Sequence, residues 1–279
     1  MPSLAQHQSN DFTKLLLLGD AKSGKTTALA SLVAAGYKLR ILDFDNLLDP
    51  LKQRILDTCP DKIDNVEVRT LRDRRKAGPT GSVIDGQPRA FIDAIKMLDN
   101  WKYDDVDYGK PAEWGGDTIL VIDSLSRLCD AAYDFREAIA SRGKTGEVDG
   151  RAVYGDAQDS IESVLAHITS STFRTNIIVI CHGQYMELPD GKKIFPQGVG
   201  QKLSPKIPQY FPVYIRVVNK AGKRSFQVTS SSLIDLAYPK PSAIPDDLST
   251  DDGLAKLFAT LRSAPSAARP KSLTLSRVK

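Results

Sequence analysis

Two glycines, a lysine and a threonine stand at a fixed spacing in Gly19-Asp20-Ala21-Lys22-Ser23-Gly24-Lys25-Thr26. That spacing wraps successive backbone N–H groups around phosphate oxygens. Gly19 and Gly24 permit a close approach that a side chain would block. Lys25 brings an ammonium to the phosphates, and the Thr26 hydroxyl takes one site on Mg2+. Thr27 completes the set of expected binding residues. A helix leaving the loop near Gly24 adds its N-terminal dipole to the anion site.

Three further positions could do chemistry beside a bound triphosphate. Asp123 ends the apolar run Ile119-Leu120-Val121-Ile122. A carboxylate at a strand tip suits a hydrated Mg2+, whereas without the phosphate loop it would read equally as a helix cap. Asp43 and Asp45 end another apolar run, and Asp45 can orient an attacking water. With an ordinary carboxyl pKa of about 3.9 it is a weak base and must act through geometry. His182 follows Asn176–Cys181 at a further strand tip, where it could touch a terminal phosphate; Gln184 competes for that role.

These residues need strands to deliver them. Leu15-Leu16-Leu17-Leu18 reads as a buried strand within 13–18, and Ala28–Val33 as the following helix, with Gly36 as its C-cap. Residues 39–44, 66–71, 118–123 and 176–181 read as further strands. Helices are expected after Asp49-Pro50 and over 88–98, 125–140 and 157–168. Residues 72–86 read as a polar loop, 143–150 as a glycine-rich break, and 184–206 as a long loop rich in Gly, Pro and Lys. Val213–Val218 and Ser225–Thr229 flank a turn and predict a C-terminal β-hairpin. Alternating strands and helices predict an α/β fold with a mostly parallel sheet covered on both faces, its ligands at the carboxyl ends of the strands. Residues 1–12 read as a flexible leader, 13–238 as the core, and 239–279 as a Pro/Ser/Ala-rich basic tail carrying one short helix at 253–261.

The 279 residues carry 41% hydrophobic and 26% charged residues, as expected of a globular protein. No apolar run reaches the ~20 residues that span a bilayer, and the first residues lack a signal-peptide pattern, so a cytoplasmic location is expected. Cys59, Cys129 and Cys181 are widely spaced and read as reduced packing residues. A net charge of +4 permits nucleic-acid binding. Arg142, Lys144 and Arg151 in one glycine-rich segment, and Lys192, Lys193, Phe195, Lys202 and Lys206 with Tyr185 in another, suit a single-stranded backbone with stacked bases.

Together these motifs resemble the RecA-like P-loop NTPase core. Ile119–Asp123 with Ser124 resembles that family's apolar run ending in Asp-Ser, and Leu42-Asp43-Phe44-Asp45-Asn46-Leu47-Leu48-Asp49-Pro50 is similar to the recombinase pattern I-D-A-E-x-x-L-D-P. The family's water-activating Glu falls on Asp45, one methylene shorter. Its phosphate sensor falls on His182, and its DNA-binding loops fall on 142–151 and 184–206. Its trans-acting cations, which reach a neighbouring subunit's site, correspond to Lys223 or Arg224. A chain reduced to this core looks like the phage-encoded RecA-like ATPases associated with single-strand annealing and recombination. The resemblance implies ATP and Mg2+ as ligands, hydrolysis to ADP and phosphate, single-stranded DNA as partner, and a homo-oligomeric ring or filament. It also leaves open a regulatory ATP-binding module acting on a single-strand-binding protein or replisome component, and a small-molecule kinase.

Overall fold

Residues 12–79, 81–141, 148–189, 191–239, 244–245 and 248–262 are described by a computed structural model. The leucine run forms β1 (Lys14–Gly19), buried along its whole length. Leu16 and Leu18 pack into one core cluster and Leu15 and Leu17 into another, as the two-residue period of a strand requires. Two short helices follow, α1 (Lys25–Ala28) and α2 (Ala30–Ala34), joined through Leu29, whose backbone is also helical. Gly36 adopts φ 94° just past them.

The chain continues through β2 (Lys38–Asp43), α3 (Asp49–Thr58) and β3 (Val66–Thr70). Next come β4 (Arg75–Gly78), β5 (Gly81–Ile84), α4 (Ala90–Asp99), β6 (Lys102–Tyr103) and β7 (Val106–Asp107). The strand β8 (Gly115–Asp123) leads into α5 (Leu125–Ile139) and α6 (Gly150–Thr169). The last stretch holds β9 (Thr175–Leu188), β10 (Gly191–Pro196), α7 (Gly200–Leu203), β11 (Val213–Lys220), β12 (Lys223–Gln227), β13 (Leu248–Ser249) and α8 (Gly253–Arg262).

The main sheet has nine strands. Its path runs β13-β12-β11-β1-β9-β8-β2-β3, with β10 paired to β9 off that path. From β11 to β3 every neighbouring pair is parallel; β12, β13 and β10 are antiparallel additions. One face carries the apolar sides of α4, α5 and α6, and the other those of α1, α2, α3 and α8. The run Ile119–Ile122 is wholly buried, with alternate residues serving the two faces. Both the mixed α/β architecture and the β11–β12 hairpin agree with expectation. The three cysteines are free and buried. Among the described residues no helix is long and apolar enough to cross a membrane.

Three segments differ from the reading by composition. Arg75–Gly78 and Gly81–Ile84 form the antiparallel pair β4–β5 rather than an open loop. The strand after His182 does not end there: β9 runs to Leu188 and turns back as β10. Ile194, Val199, Leu203 and Ile207 are buried, so apolar anchors hold this segment to the core despite its Gly, Pro and Lys content. The packed unit also runs past 238. Leu254, Leu257 and Phe258 form one apolar face of α8, buried against the sheet, and β13 pairs with β12.

Lys14 shows how firmly β1 is seated. Its buried Nζ donates to the carbonyls of Phe173 at 2.6 Å and Thr175 at 2.8 Å. Burial pushes its pKa down from 10.5 to about 7. Between those values the unfolded chain holds the extra proton, so this lysine favours folding more as pH rises through that window. The melting temperature of Lys14→Met, measured against the parent at about pH 6 and about pH 9.5, is expected to show its largest relative gain at the lower pH. A difference independent of pH would contradict a neutral Lys14 in the folded state.

Candidate active site

The strand register alone assembles the site. Gly19 lies opposite His182, and Asp43 lies opposite Asp123, so the ends of β1, β8 and β2 meet beside the middle of β9. The phosphate loop crosses there. Lys22 takes φ 62° and Gly24 φ 98°, the left-handed turns that curl the loop before α1 begins. At Gly24 the φ of 98° favours glycine, and a Cβ there would press on the flexible Arg224 side chain, whose Cδ lies 2.8 Å away.

The Lys25 ammonium donates to the carbonyls of Gly19 and Asp20, both at 2.9 Å, which aims it across the loop. Burial lowers its pKa, while Asp123, Cys181, Asp45 and Asp20 oppose the shift. The Thr26 hydroxyl donates to the Asp123 carboxylate at 2.6 Å. Burial raises the Asp123 carboxyl to about 6; Asp45 and Asp43 push the same way, whereas the Thr26 hydrogen bond opposes it. A divalent cation beside it would supply the missing positive charge. Thr26 and Asp123 offer the hard oxygen donors that Mg2+ requires. The Ser23 hydroxyl is buried within the loop without a protein partner, as a phosphate cradle would leave it. These residues therefore fit a magnesium triphosphate.

Asp45 stands across the cavity from the loop. The turn carrying it is pinned by Asp43, whose Oδ1 accepts from the backbone N–H groups of Asp45 at 3.1 Å and Asn46 at 2.7 Å. Three side chains address the Asp45 carboxylate: the Ser124 hydroxyl at 3.3 Å, the His182 Nε2 at 3.6 Å and the Arg127 Nε at 3.7 Å. Burial would raise this carboxyl, but His182, Ser124 and Arg127 together hold it below the usual range. It is therefore an ionised group poised to orient rather than to abstract early. A cavity of about 580 Å³ joins these parts, lined among others by Lys25, Thr26, Asp45, Asp123, His182 and Arg224. Its size suits a nucleotide.

The other candidates are scattered. Arg142 and Lys144 lie outside the described residues. Arg151 is exposed in the first turn of α6. Lys192 and Lys193 sit on β10, where they pair with Glu187 at 3.5 Å and Asp235 at 2.7 Å. Lys192 also lies 5.3 Å above the Tyr185 ring. Phe195 faces Gln184 across the β9–β10 pair, Lys202 is exposed on α7, and Lys206 is paired with Glu162 at 2.7 Å. Arg224 lies over its own chain's Gly24, because the β11–β12 turn emerges beside β1. Lys223, next to it, lines a smaller cavity with Gly24 and Thr27.

Two residues of the site, Arg127 and Arg216, are not singled out in the sequence, and Ser124 enters there only as the end of the Asp-Ser run. Arg127 does carry a signal: a cation in the first turn of a helix opposes the helix dipole and calls for another partner. Arg216 interrupts an apolar strand and is buried; it reaches Asp20 at 3.3 Å and the Tyr185 hydroxyl at 3.4 Å, tying the phosphate loop to β9.

With this geometry in view, comparison with known proteins decides the family. The model of the AAA domain family matches residues 11–235, most of the chain. The protein belongs to the AAA domain family. It thus carries an AAA-type P-loop ATPase domain, and a nucleotide with Mg2+ is the ligand pair the family implies. Among solved structures, this AAA domain is similar to a prototypical ATPase from the type III secretion system of pathogenic bacteria. The TM-score is 0.42 with 10% sequence identity, over 74% of this chain and 52% of that ATPase. The chain therefore spans about half of the ATPase it matches. No curated protein matches it.

Proposed function

We propose that this AAA domain protein hydrolyses ATP to ADP and phosphate under the control of single-stranded DNA, in phage-type recombination or annealing. The observation that carries the hydrolytic part is the meeting of Lys25, Thr26, Asp123, Asp45 and His182 around one cavity. Lys25 and the loop N–H groups would bind and orient the phosphates, and Thr26 with Asp123 would hold Mg2+. The metal, when bound, offsets charge on the phosphate oxygens. Asp45 aligns a water for in-line attack and takes its proton late, as the terminal phosphoryl group leaves ADP. His182 touches Asp45 and sits where β9 departs toward its basic hairpin, so the loss of phosphate can be passed along that strand.

The DNA reading rests on Arg151, Lys192, Lys193, Phe195, Lys202, Lys206 and Tyr185. Their ion pairs are exposed and therefore weak, and DNA phosphates can exchange with the carboxylates. Assembly into a homo-oligomer is part of this reading. Leu47 is 71% exposed on the open side of the nucleotide cavity, where a neighbouring copy would cover it. Lys223 could then address that neighbour while Arg224 serves its own loop.

Binding of oligo-dT at several salt concentrations tests the DNA half. Neutralising Lys192, Lys193 and Lys202 together is expected to weaken affinity and lower the salt slope by roughly 0.7 for each phosphate no longer neutralised. An unchanged slope would remove this hairpin from the DNA site. Phosphoryl transfer to a metabolite would instead favour a kinase. A stable complex with a single-strand-binding protein and no DNA response would favour a regulatory module.

A further inference from the structure

A second cavity of about 520 Å³ is joined to Asp45 through arginines in its lining. Three arginines line it: Arg72, Arg75 and Arg127. Two of them touch Asp45. The Arg127 Nε is 3.7 Å from the carboxylate, and Arg72 donates to the Asp45 backbone carbonyl at 3.4 Å. Tyr133 and Tyr154 stand at the cavity with ring centroids 4.7 Å apart, and Tyr154 is exposed. Gly198, Val199 and Gly200 also line it, with Gly200 beside Tyr154. The cavity therefore lies between the start of α6 and the segment after β10, the two regions proposed above to meet a strand.

Its charges are balanced in the free protein. Arg127 is held by Asp130 at 2.9 Å as well as by Asp45, and Arg75 by Asp134 at 3.7 Å. Asp73, the remaining acid, is occupied by the backbone N–H groups of Arg89 and Ala90 at the start of α4. Guanidinium forks match phosphate oxygens, and paired tyrosine rings offer a face to a base. Phosphate and base together describe a nucleotide unit, and the volume accommodates one.

We propose that this cavity receives one nucleotide of a bound single strand, and that its phosphate draws Arg127 away from Asp45. This rests on the single-strand reading above. Arg127 then acts as a positioning residue. In the free protein it occupies Asp45 and restrains it. With the strand in place, Asp45 keeps Ser124 on Oδ1 and His182 on Oδ2, and the share of Oδ1 that Arg127 addressed is opened to a water. Ligand binding and hydrolysis are thereby coupled through one side chain, with no movement of the sheet.

Two measurements on the full chain test this. Oligo-dT bearing 5-iodouracil is cross-linked by light and the sites are mapped; links to Tyr133 or Tyr154 are expected. In parallel, phosphate release by Arg127→Gln is measured with and without oligo-dT. Because the contact is long, at 3.7 Å, and its guanidinium is exposed, basal turnover is expected to rise only about fivefold, and DNA to add little more. Arg127→Lys, which keeps the charge, is expected to retain stimulation by DNA. Cross-links confined to the β9–β10 hairpin, or an undiminished DNA response in Arg127→Gln, would overturn the proposal and leave strand binding itself standing. Absence of any oligo-dT binding would overturn both, whatever the basal rate of Arg127→Gln.

Discussion

Replacing Lys25 with alanine is expected to lower ATP turnover by about a hundredfold or more, because it removes the ammonium held across the phosphate loop. The aim is set by the protein alone, through the Gly19 and Asp20 carbonyls that receive its two hydrogen bonds. The fold should survive. Lys25 is a desolvated cation, so its loss relieves a burial cost, and Asp123, left without that neighbour, can take up a proton. Phosphate release and thermal unfolding measured side by side check both halves. Normal turnover in Lys25→Ala would contradict the site.

Asp45→Asn is expected to keep nucleotide binding and lose about 10²- to 10⁴-fold in turnover. The amide preserves the shape but cannot accept a proton from water. It also loses the charge that Arg127 and His182 now address. Nucleotide affinity should change little, since Asp45 stands across the cavity from Lys25 and Thr26 rather than among the phosphate-binding groups. Asp45→Glu restores the longer arm of the recombinase pattern and is expected to stay within about tenfold of the parent. Single-turnover phosphate release with a parallel binding titration separates these effects. Loss of binding in Asp45→Asn with an unchanged chemical step would assign the group to nucleotide capture instead.

The phosphate loop is legible in the sequence because its chemistry is local: eight consecutive residues carry the glycines, the lysine and the hydroxyl. Asp123, Asp45 and His182 are legible for a different reason. Each ends an apolar run, and in a parallel sheet all strand tips at the carboxyl edge converge. What escapes depends on side-chain reach or on competing signals. Arg127 lies on a helix, and only the three-dimensional turn at Asp45 brings them together. The place of Arg224 over Gly24 of its own chain follows from the hairpin emerging beside β1, which no local pattern shows. The β9–β10 pair is obscured because glycine, proline and lysine outweigh four apolar anchors spread from 194 to 207. Likewise the α8 face is visible as a helix, but nothing local shows that the sheet will bury it.

One titration addresses the central claim: a calorimeter cell holding the full chain, into which a non-hydrolysable ATP analogue with Mg2+ is injected. Saturable heat from a single site is expected, abolished by Lys25→Ala and strongly reduced when Mg2+ is chelated. Absence of binding at saturating analogue, or identical binding by Lys25→Ala, would contradict it.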